Sequence, residues 1–402
     1  MPQTFRCPLI QPFYPSINGL RGLAFLMVFA YHYCQTRWDK GVLGWGWVGV
    51  DLFFVLSGFL ITGSLYDSLH KPGYFRTFYM RRALRIFPLF YSFWVVLLIL
   101  TPLVHFAWNR YNLSSALFIG NFFLQGGHLL HHPDSMRVAF GSNSLDSSAR
   151  VLSFEHFWTL CVEEQFYLLW PVIVWLLPKR SHLLTFCIGV IIAMPFLRVL
   201  YAHLHPSATV GAAIYVNTFF RADTLLLGAA LALWLRGTRM PLDKIRRSAF
   251  ISTGAAPLLL AICFFFTPKL HSTNDMAISD PVVYTFGYSL IAIAAGALML
   301  LGIDSGAWVA RFLKARPLMA LGRISYGLYF YHYLPAAWYP GWIVKLNRFH
   351  LAFLAPIAVF AGTLGIAWLS FRFLETPFLK LKDPPKARIL SRVQDQGFTP
   401  AS

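Results

Sequence analysis

The segment "INGLRGLAFLMVFAYHYC", residues 17–34, has the length of a membrane helix, yet it contains Arg21 and His32. A helix needs about 20 apolar residues to cross the hydrocarbon core of a bilayer. A charged side chain within such a helix costs roughly 2.5–3.5 kcal/mol on insertion scales, and it is retained chiefly where it lines a site or a pathway. The segment therefore predicts both a membrane helix and a polar interior.

The composition of the whole chain extends this interpretation. Of 402 residues, 57% are hydrophobic and only 12% are charged, whereas about a quarter of the residues of an ordinary soluble domain are charged. The net charge of +18 would suggest nucleic acid for a soluble protein. Here the basic residues fall in short connectors between apolar runs, as the positive-inside rule describes. We predict an all-α, polytopic integral membrane protein in a lipid bilayer, with no nucleic-acid partner.

The apolar runs predict about ten transmembrane helices. A shorter run, 113–125, is too short to cross the bilayer and predicts one re-entrant or interfacial helix. The predicted spans are 18–36, 47–65, 87–106, 157–177, 183–203, 212–235, 249–267, 282–301, 318–337 and 350–371.

The charges of the connectors predict the topology. With the N-terminus inside, most of the 34 Lys and Arg residues fall on the cytoplasmic side, which favours two cytoplasmic termini in the inner (plasma) membrane. No cleavable signal peptide is evident, so the first span is expected to be retained. Residues 1–380 are expected to form one transmembrane domain, and the polar residues 381–402 a disordered cytoplasmic tail.

Metal and disulfide sites are not expected. The five cysteines are scattered and match no disulfide framework or zinc spacing. The group His128, His131 and His132 admits two interpretations, metal ligands or exposed loop residues, and the second is favoured because no carboxylate or cysteine accompanies it.

Polar residues recur within the predicted spans. Arg21 and His32 are eleven residues apart, so they share one helix face with a rise of roughly 16 Å between them. Ser57 and Gly58 are small residues that permit close helix approach. So many polar residues in apolar segments predict a polar cavity. The polar set is Arg21, His32, Asp51, Glu163, Glu164, Arg198, Arg221, Asp223, Arg323 and His332.

Adjacent carboxylates mark the fourth predicted span, at Glu163 and Glu164. Two carboxylates close together cannot both ionise cheaply, so at least one is a candidate general acid or base, or a partner that orients a histidine. The alternative is a structural ion pair with Arg221 or Arg198.

An arginine cluster precedes the third span, at Arg81, Arg82 and Arg85. Guanidinium groups bind phosphates through bidentate, charge-assisted hydrogen bonds. The alternative partner of this cluster is anionic lipid.

These segments together resemble the acyltransferase-3 family of bacterial integral-membrane O-acyltransferases, of the O-antigen acetylase type. "LRGLAFLMVFAYH" is similar to the family's Arg-x10-His motif, with Arg21 and His32 in the motif positions. Thr159 stands where the family usually has serine. The later motifs follow in the family's order, namely "VGVDLFFVLSGFLIT", "FYMRRALRIFPLF", "FWTLCVEEQFYLLWP", "RADTLLLGAALA", "GRISYGLYFYH" and "LETPF".

The resemblance implies transfer of an acyl group, often acetyl, from acyl-CoA to a hydroxyl, commonly of a carbohydrate or glycolipid. It implies that His32 is the catalytic histidine and Arg21 its motif partner. Acyl-CoA is then a co-substrate, with no permanently bound cofactor. The chain is expected to lack the extracytoplasmic SGNH-type domain of longer members, so the transfer would be completed by the membrane domain or by a separate extracytoplasmic partner protein.

These assignments give a hypothesis for the mechanism. The cytoplasmic arginines, including Arg323, hold the acyl-CoA phosphates, and the thioester reaches His32 along the face of the first helix. Glu163 or Glu164 orients His32, which deprotonates the acceptor hydroxyl. Residues of the outer half contact the acceptor, namely Asp51, Arg221, Asp223 and His332. Two alternatives remain open, a small secondary metabolite as the acceptor, and a transporter or flippase of a glycan or lipid-linked sugar.

Overall fold

The computed structural model describes most of the chain. The described residues are 7–34, 42–104, 108, 110–123, 137–140, 150–207, 209–265, 280–336 and 338–382. The three-histidine group of the loop, and residues 383–402 of the predicted tail, lie outside them.

Helices make up nearly all of the described regular structure. Short 3₁₀ or π segments adjoin several of them, and one antiparallel strand pair, β1 (Arg137–Phe140) with β2 (Arg150–Ser153), is the only sheet in the described part. The helices are α1 (Pro15–Tyr33), α2 (Gly49–Ser68), α3 (Tyr74–Val104), α4 (Arg110–Ala116), α5 (Gly120–Phe123), α6 (Trp158–Leu176), α7 (Arg180–Leu204), α8 (Val210–Val216), α9 (Ala222–Leu235), α10 (Leu242–Phe265), α11 (Tyr288–Ile303), α12 (Trp308–Leu313), α13 (Arg316–Arg323), α14 (Ser325–His332), α15 (Tyr339–Asn347), α16 (Leu354–Ser370) and α17 (Thr376–Leu379).

The predicted all-α, polytopic membrane class is confirmed. Seven helices of the described part are long and apolar enough to cross a membrane. An eighth span results if α8 and α9, which meet at a bend of 73°, are counted together. The remaining two predicted spans correspond to α1, which carries Arg21 and His32, and to α13 with α14, where helix geometry breaks at Ile324. The number ten therefore stays a prediction.

The described part of the short run, 113–123, contains no spanning helix, and its re-entrant or interfacial placement stays a prediction. It folds as α4 and α5, which are separated by a turn in which Phe118 has φ of 58°. A positive φ is costly for a bulky residue and ends helical geometry. Phe118 packs its ring on Phe90 at 4.1 Å between centroids, so the turn is fixed against α3.

The most extensive helix contact of the described part joins α2 and α9. It depends on two glycines that face the opposite backbone. A Cβ on Gly58 would collide with the Leu225 carbonyl, and one on Gly228 with the Val55 carbonyl. The predicted close approach at Gly58 is confirmed, and small residues at such a crossing allow backbone-to-backbone packing.

Replacing Gly58 with alanine should lower the melting temperature of the protein in detergent. The added methyl group would overpack the α2–α9 crossing, and such changes typically cost about 1–3 kcal/mol. Gly189→Ala in α7 is the matched control, because its Cβ would meet no atom within 4 Å. In the control, alanine should be neutral or stabilise by about 0.5–1 kcal/mol. Equal melting temperatures for the two variants would contradict this role of Gly58.

Candidate active site

Three cavities lie side by side in the bundle and share parts of their walls. The first, the carboxylate cavity, is lined by both predicted carboxylates, Glu163 and Glu164, and by three arginines, Arg21, Arg82 and Arg85. Helices α1, α3 and α6 bring these side chains together, and the volume is about 90 Å³. The structure thus assembles residues that are far apart in sequence and that the sequence had assigned to separate motifs.

The charges of the carboxylate cavity are largely unpaired. Among the described residues, none of its three arginines forms an ion pair with a carboxylate. Glu163 instead accepts a hydrogen bond of 2.6 Å from Ser57 Oγ, and Arg82 stacks at 4.7 Å from the centre of the Tyr167 ring. Charged groups held away from water are stable only with a partner. The arrangement is therefore suited to an ionic or strongly polar ligand.

The second cavity, the basic cavity, has a volume of about 350 Å³. Five cations line it, and the described lining contains no carboxylate; these cations are Lys71, Arg81, Arg82, Arg85 and Lys382. Arg82 and Arg85 also line the carboxylate cavity, so the two spaces adjoin there. A concave surface of one charge sign attracts multivalent anions such as phosphates.

The third cavity, the histidine cavity, has a volume of about 150 Å³. His32, His156 and Glu155 line it together with aromatic side chains. Val50 and Tyr329 line both this cavity and the carboxylate cavity. The three spaces therefore follow one another, with cations at one end and His32 at the other.

The hydrogen bonds of His32 define its chemistry. His32 Nδ1 lies 2.8 Å from the Val28 carbonyl oxygen, and because a carbonyl only accepts, Nδ1 carries the hydrogen. In the neutral ring Nε2 is then an unprotonated acceptor, and no described residue bonds it. A histidine held in this tautomer at a cavity wall has the arrangement of a general base.

His332 packs directly beside His32, with ring centroids 5.3 Å apart. It is fully buried and does not line the histidine cavity. A third histidine, His156, lies on its other side at 5.2 Å and does line that cavity. The predicted acceptor contact of His332 is thus less direct than expected, because His156 and not His332 lines the cavity.

The expected pairing of His32 with a glutamate is not observed. Glu163 and Glu164 line the carboxylate cavity with Arg21, whereas His32 lines the adjoining one. No described contact joins either carboxylate to His32. The reason is depth, because Arg21 and His32 share one helix face but lie three turns apart, and the carboxylates lie at the level of Arg21.

Asp51, Arg221 and Asp223 also differ from the expectation of substrate contacts. Asp51 pairs with Arg221, and Asp223 pairs with Arg198 at 2.5 Å, all four side chains being fully buried. Arg198 donates further to the Phe220 and Thr285 carbonyls. None of the four lines a cavity described above. The two pairs fix α9 to α2 and α7, and the alternative pairing of Arg198 or Arg221 with the glutamates is wrong.

Arg323 likewise stays apart from the arginine cluster. It ends α13 with an exposed side chain and lines none of the three cavities. The structure therefore does not place it with Arg81, Arg82 and Arg85.

Several site residues were missed at the level of sequence. His156 precedes Glu163 by seven residues, a spacing that puts two helical residues on one face, and this signal was available. The sequence does not identify Lys71 and Lys382 as site residues, because only the fold brings the segment after α17 beside the α2–α3 connector. Among the described residues, no group of His, Cys, Asp and Glu is arranged to hold a metal ion.

Comparisons with known proteins identify similar sequences. A family model described as an acyltransferase domain matches residues 14–372. The peptidoglycan O-acetyltransferase OatA of Listeria monocytogenes is 31% identical over 91% of this chain and 56% of its own length. The putative peptidoglycan O-acetyltransferase YrhL of Bacillus subtilis is 30% identical over 79% and 48%. The O-acetyltransferase OatA of Staphylococcus aureus is 28% identical over 91% and 57%.

The chain spans about half the length of these curated relatives. No solved structure matches it.

Asp223→Ala should unfold the protein at clearly lower temperature or denaturant concentration. Removing one partner of a buried ion pair typically costs about 3–5 kcal/mol, because the other charge is left uncompensated. Asp243→Ala is the matched control, since its pair with Arg246 is 91% exposed on the Asp243 side and such pairs contribute about 0–1 kcal/mol. Equilibrium unfolding in detergent measures both. A stable Asp223→Ala protein that fails only in substrate binding would contradict the structural role.

Proposed function

The chain belongs to the family of acyltransferase domains, and from this membership we propose that it transfers an acyl group, acetyl in the first instance, from cytoplasmic acyl-CoA to a hydroxyl of a cell-envelope glycan. In this proposal the protein is an O-acyltransferase that spans the membrane several times. Its relatives carry the name peptidoglycan O-acetyltransferase. On that basis the acceptor proposed for this chain is a glycan.

The observation that carries the donor proposal is the order of the three cavities. Acyl-CoA has phosphates at one end and a thioester at the end of a long thin arm. The basic cavity suits the phosphates, and the carboxylate cavity, which has the smaller volume, suits the polar amides of the arm. The histidine cavity suits the thioester and the acceptor. Arg82 and Arg85 line the first two spaces, and Tyr329 lines the last two. Acyl-CoA is a co-substrate in this scheme.

The chemistry then needs one base. Nε2 of His32 takes the proton of the acceptor hydroxyl while the hydroxyl oxygen attacks the thioester carbonyl carbon. The C–S bond breaks, the thiolate of CoA leaves, and it receives the proton from His32. The ester and free CoA are the products, and His32 returns to its neutral form.

Arg21 has a binding role in this scheme. It lines the carboxylate cavity with Arg82 and Arg85, about three helical turns from His32. We assign it, with Glu163 and Glu164, to holding the polar groups of the donor rather than to proton transfer.

The membrane orientation follows from the same charges. The basic cavity gathers Lys71 of the α2–α3 connector, three arginines of the first turns of α3, and Lys382. Because cations concentrate on the cytoplasmic side, we place this cavity on the cytoplasmic face, with both termini, in the inner (plasma) membrane. The acceptor then approaches the histidine cavity from the other side. A separate extracytoplasmic partner protein that passes the acyl group onward fits this arrangement.

Membership of an acyltransferase family favours this function over the transporter or flippase alternative. The small secondary metabolite remains the alternative acceptor, because the donor side of the site is the same for both. Mass spectrometry of envelope glycans and of small metabolites, with and without the gene, distinguishes the two.

His32→Asn should reduce kcat by about 10²–10⁴-fold, the range expected for loss of a general base. The asparagine amide can still donate to the Val28 carbonyl, but the acceptor nitrogen Nε2 is gone. Release of free CoA thiol from acetyl-CoA by the purified protein in proteoliposomes measures the effect. His203→Asn, at an exposed position of α7, is the control. Near-normal activity of His32→Asn would overturn the assignment.

Arg82→Ala should raise the KM for acetyl-CoA about 10- to 100-fold, because a charge-assisted hydrogen bond contributes about 1.5–3 kcal/mol. Turnover of acetyl-pantetheine, the same thioester without phosphates on its far end, should change little. Arg76→Ala is the control, because Arg76 lies in the same helix, is exposed and lines none of the cavities. Equal losses with both thioesters would count against phosphate binding by Arg82.

A further inference from the structure

Three histidines of the site each donate their ring N–H to a backbone carbonyl. His32 Nδ1 donates to Val28, His332 Nδ1 donates to Tyr329 at 2.6 Å, and His156 Nε2 donates to Phe330 at 3.0 Å. Each neutral ring then has one nitrogen left as an acceptor. These nitrogens are Nε2 of His32, Nε2 of His332 and Nδ1 of His156.

The remaining nitrogens of His156 and His332 are both buried without a hydrogen-bond partner among the described residues. Of these two residues only His156, which is 5% exposed, lines one of the cavities described above. A buried acceptor that forms no hydrogen bond costs about 1–3 kcal/mol, so such acceptors are uncommon without a function. Metal ligation does not explain it, since the described His, Cys, Asp and Glu residues form no metal-binding group. The missing partner is therefore a hydrogen-bond donor.

His156 meets the same cavity as the catalytic base. Both His32 and His156 line the histidine cavity, whereas His332 is fully buried behind their rings. When one hydroxyl of a bound molecule contacts His32, a neighbouring hydroxyl of the same molecule can therefore contact His156.

A second residue of this cavity carries an unpartnered group. Trp47 lines the cavity, and its indole nitrogen Nε1, a donor, is buried and has no partner among the described residues. Trp158 and Tyr215 add to the aromatic wall, with ring centroids 4.7 Å apart. The lining thus combines histidine rings, the Glu155 carboxylate, an indole and flat apolar faces. A polyol ring has hydroxyls that donate and accept, and C–H faces that pack on aromatic rings.

We propose that the histidine cavity selects acceptors that carry two neighbouring hydroxyls on one ring. One hydroxyl gives its proton to His32 Nε2 and reacts. The second donates to His156 Nδ1, and the Trp47 indole N–H donates to an oxygen of the same ring. His156 is then a specificity-determining residue for the acceptor. The proposal rests on the proposed function and adds the class of acceptor.

His156→Gln is the test variant. The glutamine amide nitrogen can replace Nε2 as the donor to the Phe330 carbonyl, which preserves the link between the segment before α6 and α14. The glutamine acceptor, Oε1, is bonded to the same carbon as that nitrogen and does not take the position of Nδ1. His205→Gln, at an exposed residue after α7, is the matched control. Trp47→Phe is a second, independent variant that removes only the indole donor and part of the ring.

The probes are trans-cyclohexane-1,2-diol and cyclohexanol, which differ by the second hydroxyl. Wild-type protein with acetyl-CoA should acetylate the diol with a kcat/KM about 10-fold or more above that of cyclohexanol, a ratio expected for one added hydrogen bond in a closed site. In His156→Gln the diol should lose about 10-fold while cyclohexanol is unchanged. Trp47→Phe should lower the diol preference in the same direction, and His205→Gln should not change it.

The outcomes separate this proposal from the proposed function. It is overturned if wild-type protein shows no preference beyond the doubled number of hydroxyls, if His156→Gln keeps the preference, or if both alcohols are refused while acetyl-CoA is still hydrolysed. A His156→Gln protein that loses both alcohols equally would indicate a structural role instead. Failure of wild-type protein to consume acetyl-CoA at all would contradict the proposed function.

Discussion

A charge buried among apolar helices needs a partner, and this requirement separates structure from site in the protein. Asp51 pairs with Arg221, and Asp223 with Arg198, out of contact with the cavities described above. The arginines around Glu163 form no ion pair in the described part of the chain. The first set therefore fixes helices, and the second set is held ready for a ligand.

The packing of the helices maintains this separation. Gly58 and Gly228 let α2 and α9 approach closely, and the neighbouring Ser57 donates a hydrogen bond to Glu163 on α6. Tyr167 donates to the same serine hydroxyl at 3.1 Å. Thr159, one turn before Glu163 on α6, hydrogen bonds the Tyr329 hydroxyl at 3.0 Å and so positions the ring between the carboxylate and histidine cavities. Packing residues that carry no charge thus define where the charged ones meet.

The position of His32 also has a consequence for the proposed function. The backbone of its own helix sets the tautomer of His32, which is one of the two roles that a carboxylate has in a catalytic triad. In the proposed function Glu163 and Glu164 serve the donor. The acceptor side is then the histidine cavity, which His32, His156, Glu155 and aromatic rings line. The proposed function therefore places proton transfer and anion binding in adjoining spaces.

The sequence by itself determined the membrane class, the candidate base His32 and the cationic cluster at Arg81, Arg82 and Arg85. Helix length, apolar composition and residue spacing along one helix are local properties, so they can be read without a fold. Only the tertiary structure decided that Glu163 lies with Arg21 and not with His32, that Asp51 and Asp223 are paired, and that His156 and Lys382 line the cavities. Which charges meet depends on the relative depth and rotation of different helices, and no spacing within one segment contains that information.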